Sequence, residues 1–148
     1  MKKLFLFLLL SLSLSVCAQG VGCTNNQPRE RTLKIKISTK EGVTLTATLV
    51  DNATTRALVA KFPLTIPLMD LYAREMCYRF PEALPIENVQ TSGYEIGEII
   101  YWPPRHSFVI MYAQNGEQFS MQKLGCIDSG VDIFRQTGDI TVTLEATQ

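Results

Sequence analysis

The amino-acid sequence predicts one mainly β domain, built as a closed antiparallel barrel of about eight strands with two short helices. Three observations favour this class. Short segments with alternating or continuous apolar character recur along the chain, with turn residues between them. The two segments with helical character are short. About 115 residues follow the polar N-terminal stretch, which is enough for one domain with one core.

The first part of the domain predicts a hairpin followed by a helix. Residues 33–38, LKIKIS, and residues 43–50, VTLTATLV, alternate apolar and polar side chains with a period of two, as in strands with one buried face. A Lys-Glu-Gly turn joins them. Asp51 or Asn52 is expected to cap a helix of about two turns, which Pro63 ends.

The remaining segments predict further short strands and one long loop. Residues 64–71, LTIPLMDL, and 75–80, EMCYRF, are two strand-like runs, and Pro67 in the first requires an edge or a bulge. The polar stretch from Pro81 to Tyr94 is expected to form a surface loop. The later elements are strands over residues 96–102, 107–112, 119–127 and 139–145, with a one-turn helix over residues 131–135.

The N-terminal residues 1–18 have the features of a secretory signal peptide. Two lysines precede an apolar stretch of about a dozen residues, which is shorter than the ~20 residues of a membrane-spanning helix. Val16 and Ala18 suit signal peptidase, so we expect an exported protein, periplasmic or extracellular, that begins at Gln19. The alternative is a lipoprotein anchored through Cys17, because the preceding Leu-Ser-Val resembles a lipobox.

Two regions follow the predicted signal peptide. Residues 19–31 are polar and contain glycine, which predicts a flexible linker, and residues 32–148 form the folded domain. No later stretch is apolar and long enough to predict a transmembrane segment. The chain has 14 basic and 14 acidic residues, and cleavage removes two lysines. The sequence therefore predicts no nucleic-acid surface, which requires a basic stripe.

The cysteines leave two interpretations open. Cys77 and Cys126 lie in strand-like segments and could form a disulfide in an exported protein, or both could be buried thiols that pack as small apolar groups. With one histidine and no closely spaced cysteine pair, the chain lacks a set of zinc ligands. Asp128, Asp132 and Asp139 lack the spacing of a calcium loop. We therefore expect neither a metal nor a cofactor.

Several segments between Leu33 and Glu145 together resemble a known family. They are LKIKI, TLTATLVDNATTRALVAKFPLTI, PEALP, GEIIYWPP, KLGCID and GDITVTLE. The combination is similar to the cyclophilin-like proteins of bacteria and archaea, a family of uncharacterised domains. The resemblance implies a closed barrel of eight antiparallel strands with a small helix over each mouth.

The resemblance does not extend to the isomerase motif. Prolyl isomerases with the cyclophilin fold carry a motif similar to FHRVIPGFMxQGG, in which the catalytic arginine lies on a barrel strand. The corresponding stretch here is YWPPRHSFVIMY, residues 101–112, with Trp-Pro-Pro in place of His-Arg-Val. Arg105 is displaced onto the predicted turn. We therefore expect no catalytic residue, and the alternative is a weak peptidyl-prolyl isomerase that works through Arg105.

The Trp-Pro-Pro-Arg-His segment has two interpretations. It is either a core aromatic followed by a rigid turn, or the lip of a groove that binds a peptide segment or a small apolar ligand. The candidate groove residues are Tyr101, Trp102, Arg105, His106, Phe108 and Tyr112. His106 is not expected to be a general base, because no nucleophile motif accompanies it. We therefore predict a noncatalytic binding module; a related hypothesis is that the loop of residues 81–94 binds another exported protein.

Overall fold

The structure is a computed structural model that describes residues 32–147. The described residues contain nine strands, one α-helix and two 3₁₀ turns. The strands are β1 (Thr32–Thr39), β2 (Thr44–Val50), β3 (Leu64–Leu71), β4 (Glu75–Arg79), β5 (Gln90–Ser92), β6 (Glu98–Trp102), β7 (Ser107–Met111), β8 (Phe119–Ile127) and β9 (Ile140–Ala146). The helix is α1 (Ala53–Val59), and the 3₁₀ turns are Pro103–Arg105 and Val131–Arg135.

Eight of the nine strands form a closed antiparallel barrel. Around the barrel the strands follow the order β2, β1, β9, β3, β4, β7, β6 and β8, and β8 pairs with β2 to close the sheet. The ninth strand, β5, pairs with β8 outside this ring. The predicted closed eight-stranded barrel is therefore confirmed, and closure removes the exposed strand edges that an open sheet would present.

The first hairpin and the helix form where the sequence predicts them. The β1 and β2 strands pair antiparallel across the predicted glycine turn. Asn52 is the helix cap, because its side-chain oxygen accepts a hydrogen bond of 2.9 Å from the amide of Thr55. Pro67 lies in β3 opposite Thr141 of β9, in the part of the strand that does not pair with β4. On its β4 side Pro67 therefore lies at a local edge of the sheet, a position where proline is tolerated.

The barrel interior holds the main apolar core, and the two short helical elements complete it. Leu58 of α1 and Phe134 of the second 3₁₀ turn are both completely buried in this core. The helix follows the end of β2, whereas the second turn follows the end of β8, which runs antiparallel to β2. The two elements therefore lie at opposite ends of the barrel.

A second apolar cluster lies on the outer face of the barrel. Its members come from β4, β6, β7 and β8 and from the segment before β6: Cys77, Tyr94, Ile100, Val109, Met111 and Met121. All five residues of β7 are buried, because alternate side chains point into the barrel and into this outer cluster. The fold therefore covers part of its own outer surface with apolar side chains.

Two sequence predictions need correction. Cys77 has a free, buried thiol, while Cys126 is disulfide-bonded, so the two do not bond to each other and are not both thiols. A bond between the two would have to cross β7 and β6, which lie between β4 and β8. Three strand spacings of about 4.8 Å exceed the ~7 Å limit between the Cα atoms of a disulfide. The expected loop of residues 81–94 also contains a strand, β5.

The two predicted N-terminal regions, residues 1–18 and 19–31, lie outside the described residues, so the signal peptide and the linker stay predictions. Between residues 32 and 147, no helix has both the length and the apolar character needed to cross a membrane.

Candidate functional site

Three strands of the barrel, β4, β7 and β6, form the floor of a groove on its outer face. Their register places side chains in cross-strand rows: Arg79, Ser107 and Trp102 form the first row, and Cys77, Val109 and Ile100 form the second. Paired residues in neighbouring strands point to the same face, with Cβ atoms about 5 Å apart. We call this depression the outer groove.

The outer groove is large enough for a small organic ligand. It has a volume of about 540 Å³, within the usual range of ligand pockets. Its middle is apolar, because the second row is followed by Met111 on β7, and Leu71 and Phe119 flank it. The groove therefore combines an apolar floor with polar groups at its ends.

Cys77 lies in the middle of this floor as a thiol with 2 % of its surface exposed. Burial raises the pKa of Cys77, although the neighbouring Ser107 hydroxyl and Arg79 guanidinium each lower it in part. A thiol with a raised pKa and no exposed surface is a poor nucleophile. Cys77 therefore acts as an apolar floor residue.

One end of the groove is cationic. Arg79 ends β4, and Arg105 lies on the 3₁₀ turn between β6 and β7; both are exposed and both line the groove. The backbone hydrogen bond from the amide of Phe80 to the carbonyl of His106, 2.9 Å, joins these two chain segments. Among residues 32–147, neither guanidinium forms an ion pair.

The other end of the groove holds an arginine whose charge is neutralised. Arg74 is buried and forms ion pairs with Glu75 at 2.7 Å and with Glu117 at 2.9 Å. Its guanidinium also lies over the rings of Tyr72 and Phe119, at 5.3 and 5.1 Å from their centroids. Burial alone would lower the pKa of Arg74, but its hydrogen bonds to Glu75 and Glu117 and the charge of Glu75 raise it. Arg74 therefore fixes the β3–β4 turn against the segment before β8.

The backbone of this β3–β4 turn has an unusual conformation. Tyr72 and Ala73 both have positive φ angles, 59° and 48°, which non-glycine residues rarely adopt. Tyr72 is 77 % exposed, so burial of its ring does not account for this conformation. The turn places the exposed Tyr72 ring at the rim of the groove.

The predicted groove residues divide into two groups. Trp102 and Arg105 line the outer groove, and Trp102 is half-buried there. Four others belong elsewhere: Tyr101 and Phe108 point into the barrel, Tyr112 packs in the main core, and His106 does not line the groove. The prediction placed all six on one surface, but neighbouring residues of a strand point to opposite faces.

The buried tyrosines serve the structure of the barrel. The hydroxyl of Tyr101 accepts a hydrogen bond from the amide of Leu84, at 2.9 Å. The hydroxyl of Tyr112 donates one to Asp70, at 2.5 Å.

His106 has a left-handed conformation at the end of the 3₁₀ turn, and its amide donates to the carbonyl of Pro103.

Sequence reasoning missed several groove residues, notably Arg79, Ser107 and Arg74. One signal was present: the segments EIIYW and SFVIM are apolar at nearly every position, without the alternation of a strand that has one face in water. This pattern indicates strands covered on both faces. Cys77 and Arg79 belong to the same covered face, because they lie on β4 opposite Val109 and Ser107 of β7.

The loop of residues 81–94 is anchored to the barrel. The side-chain oxygen of Gln122 accepts hydrogen bonds from the amides of Glu87 and Asn88, and Thr54 donates to the carbonyl of Pro85. Two apolar side chains remain exposed on this loop, Ile86 at 51 % and Val89 at 38 %. Isolated exposed apolar residues are common on protein surfaces, so they do not define a contact surface.

The described part of the chain contains no group of three or more His, Cys, Asp or Glu side chains that could hold a metal ion. The candidate site is the outer groove, which has an apolar floor and a cationic end. A closed barrel of eight antiparallel strands with a short helical element at each end agrees with the barrel that the resemblance to cyclophilin-like proteins implies.

Comparison with known proteins identifies the family. The model of the Cyclophilin-like family matches residues 38–145, and the chain belongs to this family. The solution structure of a hypothetical protein from Archaeoglobus fulgidus has the same fold, with a TM-score of 0.64 and 15 % sequence identity. The match covers 80 % of this chain and 98 % of the archaeal chain. The search of the curated proteins found no match.

Proposed function

We propose that this protein is a noncatalytic binding module whose outer groove holds a peptide segment or a small apolar ligand. The observation that carries the proposal is the second apolar cluster, which lies outside the barrel core and forms the floor of a groove of about 540 Å³. An apolar floor with a few polar groups at its ends is the usual composition of a ligand pocket.

The cations of the groove favour binding over isomerase catalysis. Lowering the ~18–20 kcal/mol barrier of amide rotation requires a preorganised charge in a site that excludes water. Arg105 lines the groove but is exposed on a turn, so water screens its charge. Arg79 is on a strand but is exposed as well. Weak isomerase activity through Arg105 is the alternative function.

The proposal includes export, which rests on the sequence of residues 1–18. Signal-peptidase cleavage after Ala18 would give a protein that begins at Gln19. Intact-mass analysis of protein recovered from the producing cell measures this directly. An N-terminal Cys17 carrying lipid would replace soluble export with membrane anchoring.

Ligand binding is tested with a neutral apolar dye, Nile red, whose fluorescence increases in apolar surroundings. We expect the dye to bind the purified protein and the Val109→Phe variant to bind it at least tenfold more weakly, because the larger ring fills the groove floor. Val89→Phe makes the same change at an exposed position outside the groove and serves as the control. Equal binding by all three proteins would rule out the outer groove as the ligand site.

A further inference from the structure

We propose that the ligand of the outer groove is a small apolar carboxylate, held with its alkyl chain on the groove floor and its carboxylate between Arg79 and Arg105. This inference rests on the proposed function, because it names the chemistry of the ligand that the same groove binds. Three observations support it: the distribution of ion pairs, the place of Arg79 and Arg105 in the groove lining, and the pairing of the strands beneath them.

The pairing of the arginines is uneven in the described part of the chain. Three of its arginines have carboxylate partners: Arg56 pairs with Asp51 and Glu87, Arg135 pairs with Asp132, and Arg74 pairs with Glu75 and Glu117. Within residues 32–147, Arg79 and Arg105 have no such partner, and both lie at the same end of the outer groove. This end is therefore a positive surface to which an anion is attracted.

The backbone holds both cations close to the groove floor. Arg79 pairs with Ser107 across β4 and β7, and Ser107 pairs with Trp102 across β7 and β6. Arg105 follows two prolines, which fix their own φ angles and restrict the turn. A guanidinium presents its donors in a planar fork that matches the two oxygens of a carboxylate. A carboxylate at this end of the groove can therefore accept paired hydrogen bonds from either guanidinium.

The length of the ligand's apolar part follows from the spacing of the cross-strand rows in the groove floor. From the row of Arg79 to the row of Glu75 the groove spans four residues of β4, about 13 Å at the rise of an antiparallel strand. The row between them consists of Cys77, Val109 and Ile100. A medium-length alkyl chain covers this distance without presenting a polar atom to the apolar floor.

The opposite end of the groove favours a ligand with a single charge. Arg74 is neutralised there by Glu75 and Glu117, so it offers no free cation to a second anionic group. Hydrogen bonds from Asn115 and Arg74 lower the pKa of Glu117, which stays ionised at neutral pH. A ligand with two anionic ends would meet these carboxylates.

A small carboxylate fits the floor better than an extended peptide. Each of β4, β7 and β6 pairs with a neighbour on both sides, so the floor presents no free strand edge to which a peptide could add. Peptide amides placed over Cys77 and Val109 would lose their hydrogen bonds to water without full replacement. An alkyl chain carries no such groups.

The test compares three ligands that share a ten-carbon chain: decanoate, decanol and decyltrimethylammonium. Binding to the purified protein is measured by titration calorimetry and by the fluorescence of Trp102, the single tryptophan of the chain, which lies in the groove. We expect decanoate to bind at least tenfold more tightly than decanol and to change the Trp102 emission. The cation should not bind measurably. Added salt should weaken decanoate binding and leave decanol binding nearly unchanged.

The residues are tested with the double variant Arg79→Gln, Arg105→Gln. We expect decanoate affinity to fall at least tenfold and decanol affinity to stay within twofold. The control is the double variant Lys40→Gln, Lys61→Gln, which removes the same net charge at exposed positions outside the groove and should bind decanoate normally. Circular dichroism verifies that each variant is folded.

The outcomes separate this inference from the proposed function. If decanol binds as tightly as decanoate, or the double arginine variant binds decanoate normally, the carboxylate assignment is wrong while the groove remains an apolar binding site. If a peptide binds in the groove and neither decanoate nor decanol binds, the proposed ligand class is wrong. If Nile red, decanoate and decanol all fail to bind, both proposals are wrong.

Discussion

The direction in which a side chain points decides its role in this barrel. Tyr101 and Trp102 are adjacent in β6, yet Tyr101 is 1 % exposed inside the barrel, whereas Trp102 is half-buried in the outer groove. The same alternation in β7 places Phe108 inside and Ser107 outside. Residues next to each other in sequence therefore belong to the barrel core and to the outer groove in turn.

We expect Phe108→Ala to destabilise the protein by about 3–5 kcal/mol, the usual cost of emptying a large buried aromatic site. Trp102→Ala should cost less than about 2 kcal/mol, since its ring already contacts water in the groove. Chemical denaturation followed by circular dichroism measures both free energies of unfolding. Equal losses in the two variants would make Trp102 a core residue.

Tyr112 makes the stability of the barrel depend on pH in the alkaline range. Its burial and its hydrogen bond to Asp70 raise the pKa of Tyr112 to about 12. In the unfolded chain a tyrosine loses its proton near pH 10. Between about pH 10 and pH 12 the unfolded state therefore binds fewer protons at this residue, and its stabilising contribution, complete below pH 10, declines as the pH rises.

We expect the Tyr112→Phe variant to lose stability less steeply than the wild type between about pH 10 and pH 12, because the titrating group is absent. Urea denaturation at a series of pH values gives the two slopes. Tyr72→Phe, at a ring that is 77 % exposed, is the control. If Tyr112→Phe and wild type have the same slope, the Tyr112 hydroxyl is not protected in the folded state.

At the scale of elements, the β2–β8 pairing closes the barrel. It requires a glycine at position 125, where a side chain would clash with the β2 backbone. Gly125 of β8 pairs with Leu49 of β2 and has a φ angle of 156°, which side chains rarely adopt. A Cβ atom at this position would lie 2.2 Å from the carbonyl oxygen of Thr48. The register between β6 and β8 also shifts between Ile99 and Ile100, which pair with Gly125 and Lys123. This irregularity is a β-bulge at the closing strand.

Gly125→Ala should therefore destabilise the barrel by more than about 3 kcal/mol or prevent folding, because the obstructing atoms belong to the backbone and cannot rotate away. Gly93→Ala is the matched control, since no atom lies within 4 Å of a Cβ at that position. Thermal denaturation of both variants compares them. A normal melting temperature for Gly125→Ala would mean that β2 and β8 separate at little cost.

At the scale of the whole molecule, the protein is a barrel of the cyclophilin-like family with a groove on its outer face. The strand pairing is continuous around the ring, so each strand of the groove floor is paired on both sides. The cations stand at one end of that floor and are exposed to water. Such an arrangement supports binding more readily than catalysis, since screened charges stabilise a transition state weakly.

We expect no acceleration of prolyl isomerisation in an NMR exchange measurement on Xaa-Pro peptides with purified protein. The Arg105→Ala and Arg79→Ala variants are the controls. Acceleration that disappears in either variant would make the protein an isomerase and overturn the noncatalytic proposal. Acceleration that survives both substitutions would point to another residue or to a contaminating enzyme.

Sequence and structure agree most closely where the signal is local. Alternation with a period of two, turn residues and the cap at Asn52 are set by neighbours along the chain, and the resemblance to cyclophilin-like proteins implied the closed eight-stranded barrel. The short strand β5 escaped prediction because Gln90–Ser92 has no apolar pattern and is held only by pairing with β8.

The sequence alone determined the fold class and most element boundaries, because each depends on local pattern or on a match between motifs. The tertiary structure alone decided which side chains share the outer groove. Arg79 and Arg105 are separated in the chain and line the same groove because β4 pairs with β7, whereas Cys77 and Cys126 remain apart because two strands separate them. Strand order and register set these distances, and both arise from pairings between distant segments.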